Sequence, residues 1–291
     1  RYTSLTAFNA RYRQGRITAT GSLVYTNVTE HVKIGDAPAD FQRLAPSFTV
    51  SLQPWQEQLL FLRLMYKSTF RMPTFNDLYY YRLGNRSLRP EKANEYNMGI
   101  TWSRSFSSFL NYLSVTVDGY YNDVTDKIVA FPTTYAWKMA NYGKVHVTGM
   151  DATLAAAASL GKNMVLVVSG GYTRQKAIDL TDATSKSYKD QLPYTPKHSG
   201  NVSAVLEMPW VNVGYSIVGV SERYSMSQNI PENRIDGYME HTVSLSRNFS
   251  FRHCKLRLQA EIINLTDTQY DVIKYYPMPG RSWRLTGTIE F

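Results

Sequence analysis

Tyrosine and arginine are concentrated in one polar stretch of the chain, between about residue 69 and residue 92. This stretch contains Tyr79, Tyr80, Tyr81, Arg82 and Arg86. Aromatic faces beside guanidinium groups suit a flat ligand that is amphipathic or anionic, because rings stack and Arg donates charge-assisted hydrogen bonds. Two other interpretations stay open: the aromatic residues could form a girdle at a membrane interface, or a long loop could pack on itself.

Patterns for catalysis and metal binding are missing from the sequence. The five histidines form no H-x-x-x-H pair and no HExxH motif, and the chain has no G-x-S-x-G, P-loop or dinucleotide-binding glycine pattern. The single cysteine, Cys254, excludes an internal disulfide and a cysteine-based metal cluster. We therefore predict no catalytic residue, no metal site and no cofactor, and we predict that the protein is not an enzyme.

The bulk composition narrows the possible environments. The net charge of the 291 residues is +9, but the basic residues are spread along the chain, which argues against nucleic acid as a partner. The mean hydropathy is −0.34, and no apolar run approaches the roughly 18 residues of a membrane helix. The chain is therefore soluble, or it crosses a membrane as strands.

Apolar and polar residues alternate every second position through most of the chain, which is typical of β-strands with one apolar and one polar face. In the clearest segment, 255–264, the even positions from 256 to 262 are apolar and the odd positions from 255 to 261 are polar or charged. We count about 13 such segments, many near the roughly 10 residues of a tilted membrane strand. They are 3–13, 17–30, 43–53, 59–68, 93–103, 111–126, 141–157, 163–176, 198–208, 211–224, 239–249, 255–267 and 281–291.

The connections between these segments alternate between short and long. The long polar connections are 31–42, 69–92, 127–140, 177–197, 225–238 and 268–280. Short turns on one side and long loops on the other, with strands longer than the roughly 5–6 residues of soluble sheets, predict an all-β, antiparallel transmembrane β-barrel. Within 141–157 the apolar phase changes at Gly149, and this change predicts either a β-bulge or a partial loop.

Several motifs, in order along the chain, resemble those of TonB-dependent receptors. The stretch 70–99 resembles the series F-R-x-P-x-x-x-x-L-Y, G-N-x-x-L-x-P-E and E-x-x-x-G, and Asn141-Tyr142-Gly143 with the later Gly149 resembles a second signature. Asp151 stands where that signature usually has Glu. Residues 264–270 and 279–281 resemble the last-loop pattern N-L-x-D-x-x-Y and P-G-R, and the terminal Phe291 resembles an aromatic end read by the barrel-assembly machinery.

The resemblance implies a barrel of about 22 strands, plugged by an N-terminal domain. Residues 1–291 are then expected to be the C-terminal portion of the barrel, with the plug, the TonB box and the first strands absent from this chain. The odd strand count points the same way, because bacterial single-chain barrels have even counts. The Tyr-Pro-Met-Pro-Gly-Arg ending looks most like the Bacteroidetes branch of cobalamin and siderophore receptors.

The expected function is TonB-driven uptake of a large, scarce ligand across the bacterial outer membrane, either a corrinoid or a ferric siderophore. The expected partners are outer-membrane lipid, the TonB complex acting through the missing plug, and a possible surface lipoprotein. Two alternatives stay open: a soluble structural or adhesive β-sandwich or repeat protein, and a passive porin, which lacks the signature of 70–99.

The candidate ligand-binding residues are the aromatic and arginine side chains of the long loops and their strand ends. They are Phe70, Arg71, Tyr79, Tyr80, Tyr81, Arg82, Tyr135, Trp137, Tyr142 and Tyr276. A second group of charged residues falls on the polar faces of strands, where we expect a wet barrel lumen. These are Arg63, Lys67, Arg257, Glu261, Arg284 and Glu290.

Overall fold

Thirteen long strands form one antiparallel sheet in a computed structural model, which describes residues 1–33, 35, 37–132, 137–161, 163–252 and 254–290. The strands of the sheet are β1 (Tyr2–Gln14), β2 (Ile17–Thr29), β3 (Phe41–Leu52), β4 (Leu59–Arg71), β5 (Glu91–Ser105), β6 (Leu110–Pro132), β7 (Trp137–Gly161), β8 (Met164–Asp179), β9 (His198–Glu207), β10 (Asn212–Val220), β13 (Tyr238–Ser250), β14 (Lys255–Ile263) and β17 (Ser282–Glu290). The short elements are α1 (Phe75–Tyr79), β11 (Arg223–Tyr224), a 3-10 turn (Pro231–Asn233), β12 (Arg234–Ile235), β15 (Asp271–Ile273) and β16 (Tyr276–Pro277).

Strands that are consecutive in the sequence are neighbours in the sheet, in the order β1 to β10, β13, β14 and β17. All neighbouring pairs are antiparallel. The long connections therefore share one end of the sheet, which we call the long-loop end, and the short turns share the other, the short-turn end. The predicted all-β, antiparallel fold of 13 strands is confirmed.

The two faces of the sheet differ in chemistry. On one face, the apolar face, Ile100, Val117 and Ala152 are aligned across three strands, and Leu245 pairs with Ala260. On the other, the polar face, hydroxyl groups meet across strands: Thr101 Oγ1 lies 3.1 Å from Thr116 Oγ1. A single sheet that exposes one continuous apolar face needs a non-aqueous environment, and it differs from the two packed sheets of a sandwich.

The predicted long connection over 127–140 is wrong. Strands β6 and β7 continue in unbroken register from the pair Lys127–Tyr142 to the pair Pro132–Trp137. The hairpin they form rises beyond the neighbouring strands at the long-loop end, and the loop between β4 and β5 covers Ile128 and packs beside Met139. Ile128 is only 5% exposed. We call this extension, residues 127–132 and 137–144, the tall hairpin.

Both interpretations of the phase change at Gly149 are also wrong. The pairing of β7 runs without a bulge through Tyr120–Gly149 on one side and Gly149–Gln175 on the other. Val145 and Val147 are instead buried on the polar-face side of the sheet, where they pack with Ala177 and Leu192. Val145 and Val147 are apolar because the loop after β8 covers them. The alternation that faces lipid begins only at Met150, on the opposite face.

Among the residues that the structure describes, no helix is long and apolar enough to cross a membrane.

Candidate ligand-binding site

The loop 72–90 is fixed onto the tall hairpin through its own small core. Helix α1 begins after Thr74, whose hydroxyl accepts a hydrogen bond from the Asp77 amide, while the Asp77 carboxylate accepts one from the Thr74 amide. This reciprocal cap orders a helix that is too short to persist alone. It turns Leu78 inward, where it packs with Leu88 and Ile128.

Arg71 joins the strand end to this loop. Its guanidinium lies 3.5 Å from the Asp77 carboxylate and 3.3 Å from that of Glu91, and it donates to the Ile128 carbonyl at 2.9 Å. Phe70, next to it, packs its ring 5.0 Å from the ring of Phe41. Both residues of the F-R pair have strong contacts within the protein, and their predicted contact with ligand stays a prediction.

Asn141, from the second signature, holds the other end of the loop. Its side-chain amide donates to the Arg89 and Asp126 carbonyls at 3.0 and 2.6 Å, and its carbonyl accepts from the Arg89 amide at 2.9 Å. Arg89 also bonds the Asp126 carboxylate at 2.5 Å, and this charge-assisted hydrogen bond raises the pKa of the Arg89 guanidinium. The residues of the two signature motifs thus form one hydrogen-bonded scaffold beneath the loop 72–90.

Replacing Asn141 by Ala is expected to loosen the loop 72–90 while leaving the sheet folded. The change removes three hydrogen bonds, whose net contributions are each about 0.5–1.5 kcal/mol. Hydrogen exchange of the loop amides should become faster, with no change in the amides of β8 to β10. Asn248→Ala, at an exposed position near the short-turn end, is the matched control, and faster exchange in both variants would contradict the scaffold role.

Four of the candidate residues form a cluster at the tip of this loop, which we call the tip cluster: Tyr79, Tyr80, Tyr81 and Arg82. Tyr80 and Tyr81 are 59% and 78% exposed. The Arg82 guanidinium lies 5.2 Å from the centre of the Tyr81 ring, within the range of a cation–π contact. The cluster therefore presents aromatic faces and a positive charge to the space beyond the sheet.

A second group of candidates lines a cavity of about 430 Å³ beside the tall hairpin. Trp137 and Tyr142 from the hairpin lie in its wall, and the Trp137 ring is 5.9 Å from that of Tyr194. Burial raises the pKa of the Tyr194 hydroxyl, although a backbone hydrogen bond at Lys274 and the charge of Arg223 act in the opposite direction. Tyr142 donates or accepts a 2.6 Å hydrogen bond with Ser227.

The sequence did not single out three residues of this cavity wall: Lys127, Tyr194 and Arg223. The sequence pattern predicts one strand over 211–224, whereas β10 ends at Val220 and Arg223 lies in the separate short strand β11. The polar Ser-Glu-Arg-Tyr sequence at 221–224 is the only feature that indicates an earlier end of the predicted strand.

The remaining candidates are apart from both groups. Tyr276 is 71% exposed in the small hairpin of β15 and β16, and it does not line the cavity. Tyr135 and the terminal Phe291 lie outside the described residues. The structure therefore brings Tyr79 to Arg82 together in one place and Trp137 with Tyr142 in another.

Charged side chains on the polar face pair across strands, as a wet lumen would allow. Arg63 on β4 lies 2.5 Å from Asp118 on β6, and Arg284 on β17 lies 2.5 Å from Glu261 on β14. Within the described residues there is no group of three or more His, Cys, Asp or Glu side chains that could hold a metal ion.

The last-loop motif closes the connection between β14 and β17. Asn264 is 1% exposed with a φ of +52°, and it ends β14 before the predicted boundary at 267. Its amide donates to the Thr268 carbonyl at 3.0 Å. Tyr270 stacks on Tyr238 at 3.9 Å and donates to Glu240 at 2.5 Å, and burial together with this hydrogen bond raises the pKa of the Tyr270 hydroxyl.

The sequence model of the family described as "TonB dependent receptor-like, beta-barrel" matches residues 3–265. The chain belongs to this family. A TonB-dependent receptor-like barrel lies in the bacterial outer membrane, which is the localisation that the sequence predicted, and lipid is what the apolar face contacts.

Relatives of this TonB-dependent receptor-like barrel are named as transporters and receptors. The chain is 26% identical over 230 residues to a vitamin B12 transporter, BtuB, of Photobacterium profundum, covering 76% of this chain and 34% of that protein. A similar protein of Vibrio vulnificus is also 26% identical, over 231 residues. The chain thus spans about a third of the length of the curated relatives it matches.

Solved structures share the fold of this TonB-dependent receptor-like barrel. The ferric citrate transporter FecA superposes with a TM-score of 0.75 at 15% sequence identity, covering 98% of this chain and 44% of FecA. At this level of identity the likeness extends to the fold alone.

Proposed function

We propose that this chain supplies the barrel wall and the ligand-capturing loops of a receptor that imports a large, scarce ligand through the outer membrane. The observation that carries the proposal is the tip cluster. Its aromatic and guanidinium groups are exposed at the long-loop end, while the loop that bears them is held by Arg71, Asn141 and a buried core. Fixed, exposed aromatic residues are suited to bind rather than to catalyse, and we propose a transport role without an enzyme activity.

The ligand we propose is a corrinoid or a ferric siderophore, with the corrinoid first. The likeness to a protein named as a vitamin B12 transporter supports the corrinoid, and the likeness of fold to a ferric citrate transporter supports the wider class. A passive porin is disfavoured, because loops with their own cores and an exposed Tyr–Arg cluster suit specific capture.

The proposal includes parts outside residues 1–291, namely a plug, earlier strands, and coupling to the TonB complex through the plug. It is supported by the share of the relatives' length that the chain spans and by the two edge strands, β1 and β17, which each pair on one side within the described residues. Open edges are not tolerated in hydrocarbon, so further strands must complete the wall. A surface lipoprotein partner and a place in the Bacteroidetes branch belong to the proposal too; the branch is supported by the ending Tyr276–Arg281.

The test replaces the whole tip cluster, Tyr79, Tyr80, Tyr81 and Arg82, by Ala in the intact protein. Affinity for cyanocobalamin or for a ferric siderophore should fall by at least about tenfold, because each of three aromatic contacts contributes about 0.5–1.5 kcal/mol beyond its buried area. The amount of folded barrel in the membrane should not change, because the buried residues Leu78 and Leu88 remain.

Phe109→Ala is the matched control, since Phe109 is a 71% exposed aromatic residue at the short-turn end. Its affinity for either ligand should equal that of the unaltered protein. Unchanged affinity in the tip-cluster variant would show that the tip cluster has no part in capture. An unaltered protein that binds neither ligand would overturn the proposed ligand class.

A further inference from the structure

The cavity beside the tall hairpin has a buried arginine, Arg223, in its wall. Arg223 is only 4% exposed. One of its terminal nitrogens, Nη2, donates to the carbonyls of Asp271 and Val272 at 2.5 and 3.0 Å. The other, Nη1, is buried and has no hydrogen-bond partner among the described residues.

No carboxylate lies within ion-pair distance of Arg223 in the described part of the chain. Asp271 accepts a hydrogen bond from Arg223 through its backbone carbonyl, whereas its carboxylate accepts one from the Tyr275 amide at 2.9 Å. A buried charge without a counter-ion is costly, and buried donors in folded proteins nearly always have partners. Besides the two carbonyls, the guanidinium faces the Tyr238 ring, whose centre lies 5.8 Å from Cζ. Nη1 therefore keeps its capacity to donate a hydrogen bond to an anion.

The rest of the cavity wall is suited to a particular kind of anion. Lys127 adds a second positive charge, and its only ion pair in the described residues is a long one of 3.8 Å to Glu91. Among the residues that the structure describes, no acidic side chain lines the cavity. Trp137 and Tyr194 supply aromatic faces, and Val272 and Ile273 supply apolar ones. Such a wall fits an oxyanion carried on a flat or apolar body.

We propose that this cavity is a subsite for an anionic group of the imported ligand, a phosphate or a carboxylate, with Arg223 as its anion-binding residue. Trp137 and Tyr194 stack against the body that carries the anion, and Lys127 adds to the positive field. The subsite rests on the proposed function, because it lies at the same long-loop end as the tip cluster and adds charge recognition to aromatic capture.

The test measures binding of phenyl phosphate and of benzoate to the intact protein by titration calorimetry, with benzyl alcohol as the neutral analogue. Both anions should bind and the alcohol should not, and the ratio between the two anions identifies phosphate or carboxylate as the preferred group. Arg223→Gln should weaken anion binding by at least about tenfold, since hydrogen bonds to charged groups are the strong ones. Arg223→Lys keeps the positive charge but not the planar guanidinium group, so it should bind the anions more tightly than Arg223→Gln and less tightly than the unaltered protein.

Two further variants keep the test decisive if Arg223→Gln disturbs the carbonyls of Asp271 and Val272. Lys127→Gln and Trp137→Ala leave Arg223 in place, and each should weaken phenyl phosphate binding by several-fold. Arg234→Gln is the control, because Arg234 lies in the same loop but is exposed, pairs with Asp236 and does not line the cavity. Equal binding of the anions and the alcohol, or anion binding that survives all cavity variants, overturns the subsite.

The outcome can be separated from that of the proposed function. The tip-cluster variant keeps the cavity intact, so it should bind phenyl phosphate as the unaltered protein does. Loss of ligand capture in that variant with no anion binding in any variant would remove the subsite and leave the receptor function standing.

Discussion

Replacing Leu154 by Arg is expected to prevent most of the protein from assembling as a folded barrel. Leu154 is on the apolar face, 41% exposed, and pairs with Val115 and Gly170. It lies seven residues before the end of β7 at Gly161, which at a rise of about 3.3 Å and a tilt of about 45° is near the middle of an apolar band about 25 Å tall. An Arg at that depth costs about 2–4 kcal/mol, or roughly 30-fold to 1,000-fold in the folding equilibrium.

The matched control is Thr153→Arg, one residue earlier and on the polar face, where Thr153 pairs with Thr116. This variant should assemble almost as the unaltered protein does, as measured by the heat-sensitive electrophoretic shift of folded barrels in isolated outer membranes. The natural Arg247 shows how depth matters: it lies on the apolar face but near the end of β13, with its guanidinium 4.9 Å from the Phe249 ring. Equal assembly of the Leu154 and Thr153 variants would mean that the faces are assigned incorrectly.

The second large effect is expected at Gly149, where replacement by Ala should destabilise the barrel by about 1–3 kcal/mol through overpacking. A Cβ at this position would lie 2.4 Å from the Tyr120 ring and 2.6 Å from the Arg174 carbonyl oxygen. The ring could turn away, but the carbonyl belongs to the backbone of β8 and moves only with its strand. The denaturant midpoint of the purified protein in detergent measures the change.

Gly119→Ala is the matched control, because it also replaces a glycine by alanine and changes the backbone entropy of the unfolded chain in the same way. Gly119 lies on the neighbouring strand β6, and a Cβ there would meet nothing closer than the Met98 carbonyl oxygen at 3.9 Å. The midpoint of this variant should equal that of the unaltered protein or exceed it slightly, because Ala narrows the unfolded ensemble. A similar loss of stability in both variants would contradict the close packing of Tyr120 over Gly149.

The alternation of apolar and polar residues predicted the sheet well, because one face of every strand contacts lipid. That constraint acts on each strand separately, so alternation such as that of 255–264 can be read without knowing the neighbours. The same reasoning failed where a strand leaves the membrane. In the tall hairpin, Ile128 and Met139 pack against the loop between β4 and β5, and Tyr142 packs against the cluster that contains Leu192. The apolar character of these residues follows from contacts that are distant in the sequence.

The candidate site was predicted only where its residues are close in the sequence. Tyr79 to Arg82 are consecutive, so their exposure in one cluster followed from a single loop. The cavity wall combines Trp137 and Tyr142 with Tyr194 and Arg223, which belong to separate loops. These residues come together only because the loops pack on the tall hairpin, and no spacing between residues in the sequence predicts that packing. The signature residues Arg71 and Asn141 proved to be parts of the loop scaffold, which is a role that a motif alone does not specify.

The small cores of the long loops have a consequence for the entropy of binding. Ordering a free loop upon contact with ligand would oppose binding by about 1–2 kcal/mol for each residue whose backbone becomes fixed. Here Leu78 and Leu88 hold one loop against the tall hairpin, and Leu192 holds another against strands β6 to β8. In the proposed function, a ligand that reaches the tip cluster would therefore restrict only side-chain rotation, about 0.5–1.5 kcal/mol for each immobilised group. Most of the ordering of these loops takes place once, when the barrel folds, and would not recur with each ligand molecule.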